Sequence, residues 1–385
     1  MLRGIIQPNT TLFHLPRLQT LSLSHNDFEF SQLPREIGGI SNSLTHLNLS
    51  FCGFTGDIPG EILYLSKLVS LDLAYDYELQ IQPSVLKNLL RNSTNLRELY
   101  LFDVYIGWVL PRYLNISSSL KSLDLRSTGL QGKLPDNMFS LQYLVNLDLS
   151  RNNDIIGPWP NVNKSNNIPL KWLDLSDTNS SDEIPESVGH LKSLNYLDLS
   201  SCGLVGSIPK SLVNLMHVTT IHLEFNNLNG SLPSFLFTLP FLENLFLSYN
   251  KFSGGLPTQL FDCRSLKQLS LGVNQFDGMI NGGSNPPSFI QLANLTYLDL
   301  SSNNFTGLWD LNTLFLSLPN LQDLFLSYSG LIVVSNNNAR YGNPEFRVLH
   351  LASCNISVFP ESVRVMKNLE ILILSYNNIK GRIPE

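Results

Sequence analysis

Apolar residues recur along this chain in one unit, LxxLxLxxN, whose last place is Asn or another small polar group. The opening residues are Leu18, Leu44, Leu68, Leu96, Leu120, Leu144, Leu170, Leu194, Val218, Leu242, Leu266, Leu295, Leu321, Phe346 and Leu369. Successive openings lie 23 to 29 residues apart, most often 24. A period in this range, with one strand per copy, is that of leucine-rich repeats. Within LxLxx the leucines point to one side of a strand and the intervening residues to the other. A lone repeat cannot bury its leucines, whereas stacked repeats share them. The pattern therefore predicts an α/β solenoid of about fifteen repeats, a horseshoe or superhelix with a parallel sheet on its concave face. Residues 1–385 are expected to form one such solenoid, with terminal caps absent.

The ninth position reads Asn26, Cys52, Asp76, Val104, Thr128, Asn152, Thr178, Cys202, Asn226, Asn250, Asn274, Asn303, Ser329, Cys354 and Asn377. Here the chain leaves the strand, and buried backbone groups need substitute partners. An Asn column supplies donor and acceptor, Cys or Thr part of this, and Val104 neither. Three of the four cysteines sit in this column many repeats apart, which predicts buried free thiols; Cys263, outside it, is expected to be unpaired as well.

After the strand many copies continue into Gly-x-Ile/Leu-Pro, as at Gly56–Pro59, Gly132–Pro135, Gly206–Pro209, Gly230–Pro233 and Gly381–Pro384. Glycine permits the bend, and proline closes a short extended segment able to pair only along an edge. Repeats one, three, four, seven, thirteen and fourteen keep this extension poorly. The GxIP signature resembles the plant extracellular class of leucine-rich repeats. The irregular stretches at 91–107 and 346–385, and the opening LRGIIQPNTTLFHLPRLQTLSLSHNDF, resemble plant receptor-like proteins, the kinase-free cell-surface immune receptors. That resemblance implies an extracellular ectodomain at the plasma membrane that recognises a peptide or protein ligand in defence or development. It implies signalling through partner receptor kinases. On this reading the chain is a partial ectodomain. The alternatives are the ectodomain of a receptor kinase, and a cell-wall enzyme inhibitor resembling polygalacturonase-inhibiting proteins.

Composition narrows the partners. A net charge of −6 and a pI near 5.7 leave no basic stripe for nucleic acid, and no apolar run is long enough to span a bilayer. The seven histidines show no metal-ligand spacing, and no P-loop or GxSxG elbow occurs. No catalytic residue, metal or cofactor is expected. His25 and His46 are expected as neighbours on the first two strands.

Concave positions mostly carry an Asp-x-Ser filler, at Asp72, Asp124, Asp148, Asp174, Asp198 and Asp299. Departures from it mark candidate ligand contacts, since exposed aromatics on a rigid sheet anchor interfaces. They are Tyr100 and Phe102 in repeat four, His222, Glu224, Phe225, Phe246 and Tyr249 in repeats nine and ten, and Phe325 and Tyr328 in repeat thirteen. His350, Ile373 and Tyr376 follow in the last two. Sequons mark Asn9, Asn92, Asn115, Asn163, Asn179, Asn229, Asn294, Asn304 and Asn355 as candidate glycosylation sites. A tenth, Asn48, falls inside a strand and is the weakest acceptor.

Overall fold

Each copy of the motif becomes a three-residue strand at its third to fifth positions, with the central leucine turned inward. The structure, a computed structural model, describes residues 1–40, 43–117, 119–162, 168–280, 292–335 and 343–381. They form two compact units, Met1–Leu194 and Asn195–Glu385.

In the first unit the strands are Thr20–Ser22, His46–Asn48, Ser70–Asp72, Glu98–Tyr100, Ser122–Asp124, Asn146–Asp148 and Trp172–Asp174, each paired in parallel with the next. In the second they are Tyr196–Asp198, Thr220–His222, Asn244–Phe246, Gln268–Ser270, Tyr297–Asp299, Asp323–Phe325, Val348–His350 and Ile371–Ile373, again parallel and in chain order. Register is fixed by the leucines, as in Leu21↔Leu47 and Leu47↔Leu71. A slip of one residue turns every leucine to solvent. Leu71, Leu99, Leu197 and Leu245 are fully buried, each worth roughly 1.5–3 kcal/mol. This is the leucine-rich-repeat solenoid fold.

The GxIP segments form second, shorter parallel pairings on the repeat edge. Val205–Gly206, Asn227–Gly230, Lys251–Gly254 and Gln275–Phe276 make a four-stranded set in the second unit. In the first unit Gly56–Asp57 pairs with Leu79–Gln80 and Gln131–Gly132 with Asp154–Ile155. The glycines of these segments take left-handed backbone, as Gly56 (φ 75°) and Gly206 (φ 78°) do. The proline then sits at the N-cap of a short 3₁₀ turn, as before Lys210–Asn214 and Ser234–Thr238, each of which sends one Leu into the core. Longer repeats insert α-helix instead, at Pro83–Asn92 and Leu311–Ser317.

The ninth-position column carries the bonds that the turn leaves open. Asn152 Nδ2 donates to the carbonyls of Leu125, Leu149 and Ser150 at 2.9, 2.9 and 3.1 Å, and its Oδ1 accepts from the Thr128 and Leu130 amides. Cysteine keeps the bond to the preceding repeat: Cys52 Sγ donates to the Leu23 carbonyl at 3.0 Å and Cys354 Sγ to that of Leu326 at 3.2 Å. Burial pushes both thiols up to about 12. All four cysteines are buried and none forms a disulfide with another described residue. Val104, with no polar atom to offer, is fully buried in the same column.

Asp76 is the poor fit. It is 3% exposed; its Oδ1 accepts from the Cys52 and Gly53 amides at 2.9 and 2.8 Å, while Oδ2 is buried with no partner. Where Asn donates, an ionised carboxylate repels the carbonyls. Burial raises its pKa to about 6. A carboxyl raised on folding stabilises the fold while protonated, below about pH 4, and loses that contribution as pH rises through about 6. Asp76→Asn is therefore expected to stabilise the first unit by about 1–3 kcal/mol near neutral pH, with the gain vanishing by about pH 4. Hydrogen exchange at the Cys52 and Gly53 amides measures it; equal rates in both proteins near neutral pH count against this account.

Candidate functional site

The chain enters the strand face and leaves it through one repeated device. The residue at position five accepts from the backbone at position seven, closing a turn of the kind Asp favours. Asp148 Oδ1 accepts from Ser150 N and Oγ at 3.0 and 2.6 Å; Asp174, Asp198 and Asp299 hold Ser176, Ser200 and Ser301 in the same way. The Asp-Ser filler thus has a structural task. Burial still raises the carboxyls of Asp72 and Asp299, and that of Asp124 to about 6. Among the described residues no three His, Cys, Asp or Glu side chains gather as a metal site.

The turn delivers position eight into left-handed backbone in every repeat. His25, Phe51, Tyr75, Asp103, Ser127, Arg151, Asp177, Ser201, Phe225, Tyr249, Val273, Ser302, Tyr328, Ser353 and Tyr376 all have φ between 51° and 65°. Such backbone is uncommon for a residue other than glycine, and a bulky side chain there is an outlier. Large side chains at this position stay only partly buried: Phe51 and Tyr75 are 41% exposed, Phe225 54% and Tyr249 50%.

In the second unit the expected residues come together. The His222 ring stacks on Phe246 with centroids 4.4 Å apart and planes 8° from parallel, and His222 Nδ1 bonds Glu224 Oε1 at 3.0 Å. Phe225 stacks on Tyr249 at 4.4 Å. Tyr196, not singled out from the sequence, tilts against His222 at 5.6 Å and donates to Asp198. A second group joins Phe325 to Tyr297 at 5.3 Å and to His350 at 4.6 Å, with Tyr328 tilted against Tyr376 at 6.1 Å. Ser270, Gly272 and Val273 separate the two groups along the sheet. Burial holds His350 below the usual histidine range, and pushes Tyr297 up to about 12. Ile373, in the last strand, is half-buried.

The first unit corrects one expectation. Tyr100 is half-buried on the strand face, but Phe102 is only 7% exposed. The Arg126 guanidinium lies over its ring, 3.8 Å from the centroid, and the Tyr75 ring stands 77° from its plane with centroids 4.6 Å apart. Arg126 in turn reaches Asp124 and Asp148 at 3.5 and 3.8 Å. The side chains left open lie in the preceding repeats: Phe51 and Tyr75 are exposed and stacked at 3.8 Å, and His25 stacks on Phe51 at 4.6 Å. Their signal was an aromatic at position eight in consecutive repeats. His25 and His46 occupy different positions and take different partners, since His46 Nδ1 bonds Thr45 Oγ1.

Asn9, Asn92, Asn115, Asn179, Asn229, Asn294, Asn304 and Asn355 are all exposed, and none lies on a strand of the main sheet. Asn163 falls outside the described residues. Asn48 is half-buried, with its Oδ1 accepting from Ser50 N and Oγ.

The sequence relatives agree with this architecture. The Leucine Rich Repeat family profile matches residues 43–65, 169–191, 193–215, 241–263 and 368–385, and a second profile of that description matches 291–308. Receptor-like protein 39 of Arabidopsis thaliana is 34% identical over 388 residues, which cover this whole chain and 40% of that protein. Receptor-like protein 9DC1 of Solanum pimpinellifolium is 38% identical over 194 residues, 50% of this chain and 22% of its own length. The crystal structure of the Arabidopsis receptor kinase HAESA with the peptide hormone IDA and the co-receptor SERK1 matches at a TM-score of 0.67 and 28% identity. That match covers 99% of this chain and 69% of HAESA's. The chain is a leucine-rich-repeat protein of plant type. Its likeness to these curated proteins, of which it spans between about a fifth and two fifths, supports a place among the plant receptor-like proteins. Among the described residues no helix is long and apolar enough to cross a membrane.

Proposed function

We propose that this chain is a ligand-sensing part of a plant cell-surface receptor-like protein, and that the strand face of repeats nine and ten binds a peptide or protein. One observation carries the reading: Phe225 and Tyr249 form an exposed stacked pair beside the His222–Phe246 pair, on backbone that disfavours large side chains. Large rings left half exposed on such backbone support a role beyond packing. Aromatic anchors on a preformed sheet bind without loss of their own freedom. HAESA holds a peptide hormone on a repeat scaffold of the same kind, which supports a peptide as the ligand class. The same complex includes a co-receptor, and a partner receptor kinase is our proposed route for signalling. The exposed sequons suit the extracellular side of the plasma membrane, where we place the chain.

Selection of a randomised peptide library on the full chain tests the assignment. Binders should lose affinity about tenfold or more when Phe225 and Phe246 are both changed to Ser, with the far-UV circular dichroism unchanged. Undiminished binding of the selected peptides to that variant would sink it.

A further inference from the structure

The first unit carries a second surface that the reading above does not use. Its elements are the rings of His25, Phe51 and Tyr75, stacked in succession at position eight of the first three repeats. Phe51 is sandwiched between its neighbours, so its faces are taken and its edge is left for a partner. An aromatic edge offers apolar contact but no attraction for a cation, because its partial charge is positive. Charge must come from what surrounds it. The strand face of repeats three and four bears Asp72, Glu98 and Asp103, and none of them forms an ion pair with a described Lys or Arg. Burial raises the Asp72 carboxyl, as expected of an acid without a cation beside it.

The next step of the same sheet shows how this chemistry is satisfied. Arg126 lies on the Phe102 ring and reaches two carboxylates, Asp124 and Asp148. Ring and carboxylates together hold one guanidinium, and a long basic side chain can in general lay its aliphatic stem along apolar surface while its charged end pairs. Beside the Phe51 and Tyr75 rings, Asp72 and Asp103 are carboxylates with no described Lys or Arg paired to them. We propose that the face of repeats one to four binds an extended basic peptide segment, whose Lys or Arg stems lie along the Phe51 and Tyr75 edges and whose charged ends pair with Asp72 and Asp103. The site is separate from the aromatic group of repeats nine and ten, and either can fail without the other.

The probes are two synthetic heptapeptides, one alternating Leu with Arg and the other Leu with Glu, titrated into the full chain by calorimetry. The Arg peptide should bind with an affinity that falls as salt rises, and the Glu peptide should not bind. Asp72→Asn with Asp103→Asn preserves the fold: Asn keeps the acceptor that Asp72 offers to Ala74 N and tolerates the left-handed backbone of Asp103. This pair should weaken the Arg peptide about tenfold and flatten its salt dependence. Phe51→Ser with Tyr75→Ser should weaken it by a similar factor, whereas Phe225→Ser with Phe246→Ser should leave it unchanged. Equal binding of both peptides, full binding by the Asn variant, or loss on the Phe225/Phe246 variant overturns the proposal. So does the absence of Arg-peptide binding, including the case where a neutral oligosaccharide such as cellohexaose binds and is lost with Phe51 and Tyr75.

Discussion

Changing Asn226 to Ala is expected to destabilise the second unit by about 3–5 kcal/mol, the size reserved for breaking a buried polar network. Asn226 is 7% exposed. Its Nδ2 donates to the carbonyls of Leu199, Leu223 and Glu224 at 2.8, 3.0 and 3.1 Å, and its Oδ1 accepts from the amides of Cys202 and Leu204, both at 3.0 Å. Five backbone groups lose a partner at once, and each buried orphan costs about 1–3 kcal/mol before water or relaxation recovers part of it. Stability in a repeat array is local, so a single melting temperature understates the effect. Hydrogen exchange is the direct measure: the Cys202 and Leu204 amides should exchange at least a hundredfold faster, by about 2.8 kcal/mol or more at a factor of ten per 1.4 kcal/mol, while Leu130 in the first unit keeps its rate. Because the Glu224 carbonyl is one of the lost partners, the His222–Glu224 bond should loosen too. Protection retained at Cys202 and Leu204 would show that the column is dispensable there.

Gly330→Ala is the second large effect. Gly330 has φ +85°, and a Cβ built on it falls 2.3 Å from the Phe305 carbonyl oxygen and 3.1 Å from the Phe305 amide nitrogen. These are backbone atoms of a buried residue, so no side chain can swing aside. Gly53 provides the comparison, with φ +69° but no atom closer than the Asp27 Oδ1 at 3.9 Å. Ala at Gly53 carries the left-handed penalty alone, about 1–2 kcal/mol. Ala at Gly330 adds the displacement of the Phe305 backbone and should cost about 3 kcal/mol or more. Denaturant unfolding of the two variants side by side isolates the collision. A Gly330→Ala protein no less stable than Gly53→Ala would mean that the Phe305 backbone yields freely.

The repeat register was legible because it rests on the strongest local signal a chain carries. Every opening from Leu18 to Leu369 precedes its strand by two residues, since burying leucines on one face permits no other alignment. The Asn column was legible for the same reason: polar side chains at a fixed interval must answer buried backbone. The proposed binding face was legible only in part. The His222–Phe246 pair follows from alternation, which turns position five outward, whereas Phe225 and Tyr249 lie past the strand, where alternation no longer applies. Phe102 misled because its exposure depends on Arg126, 24 residues away, and no pattern within one repeat reveals a guanidinium laid over a ring. Phe51 and Tyr75 were passed over although they hold the same position eight as Phe225, Tyr249 and Tyr328. That position's left-handed backbone, common to all fifteen repeats, is what turns a loop residue into a surface one. The Asp-Ser pairs read as inert filler because a turn-closing bond leaves no mark on hydrophobic periodicity.

On the proposed reading, that recurring left-handed residue separates recognition from what keeps the protein folded. Side chains at position eight lie outside the leucine interior and outside the Asn network, so exchanging one for another leaves both intact. A lineage can revise them one repeat at a time, trading tyrosine for serine or aspartate for phenylalanine, without a compensating change elsewhere. Recognition in such a molecule can diverge faster than its architecture, and two descendants with the same scaffold can come to answer different signals.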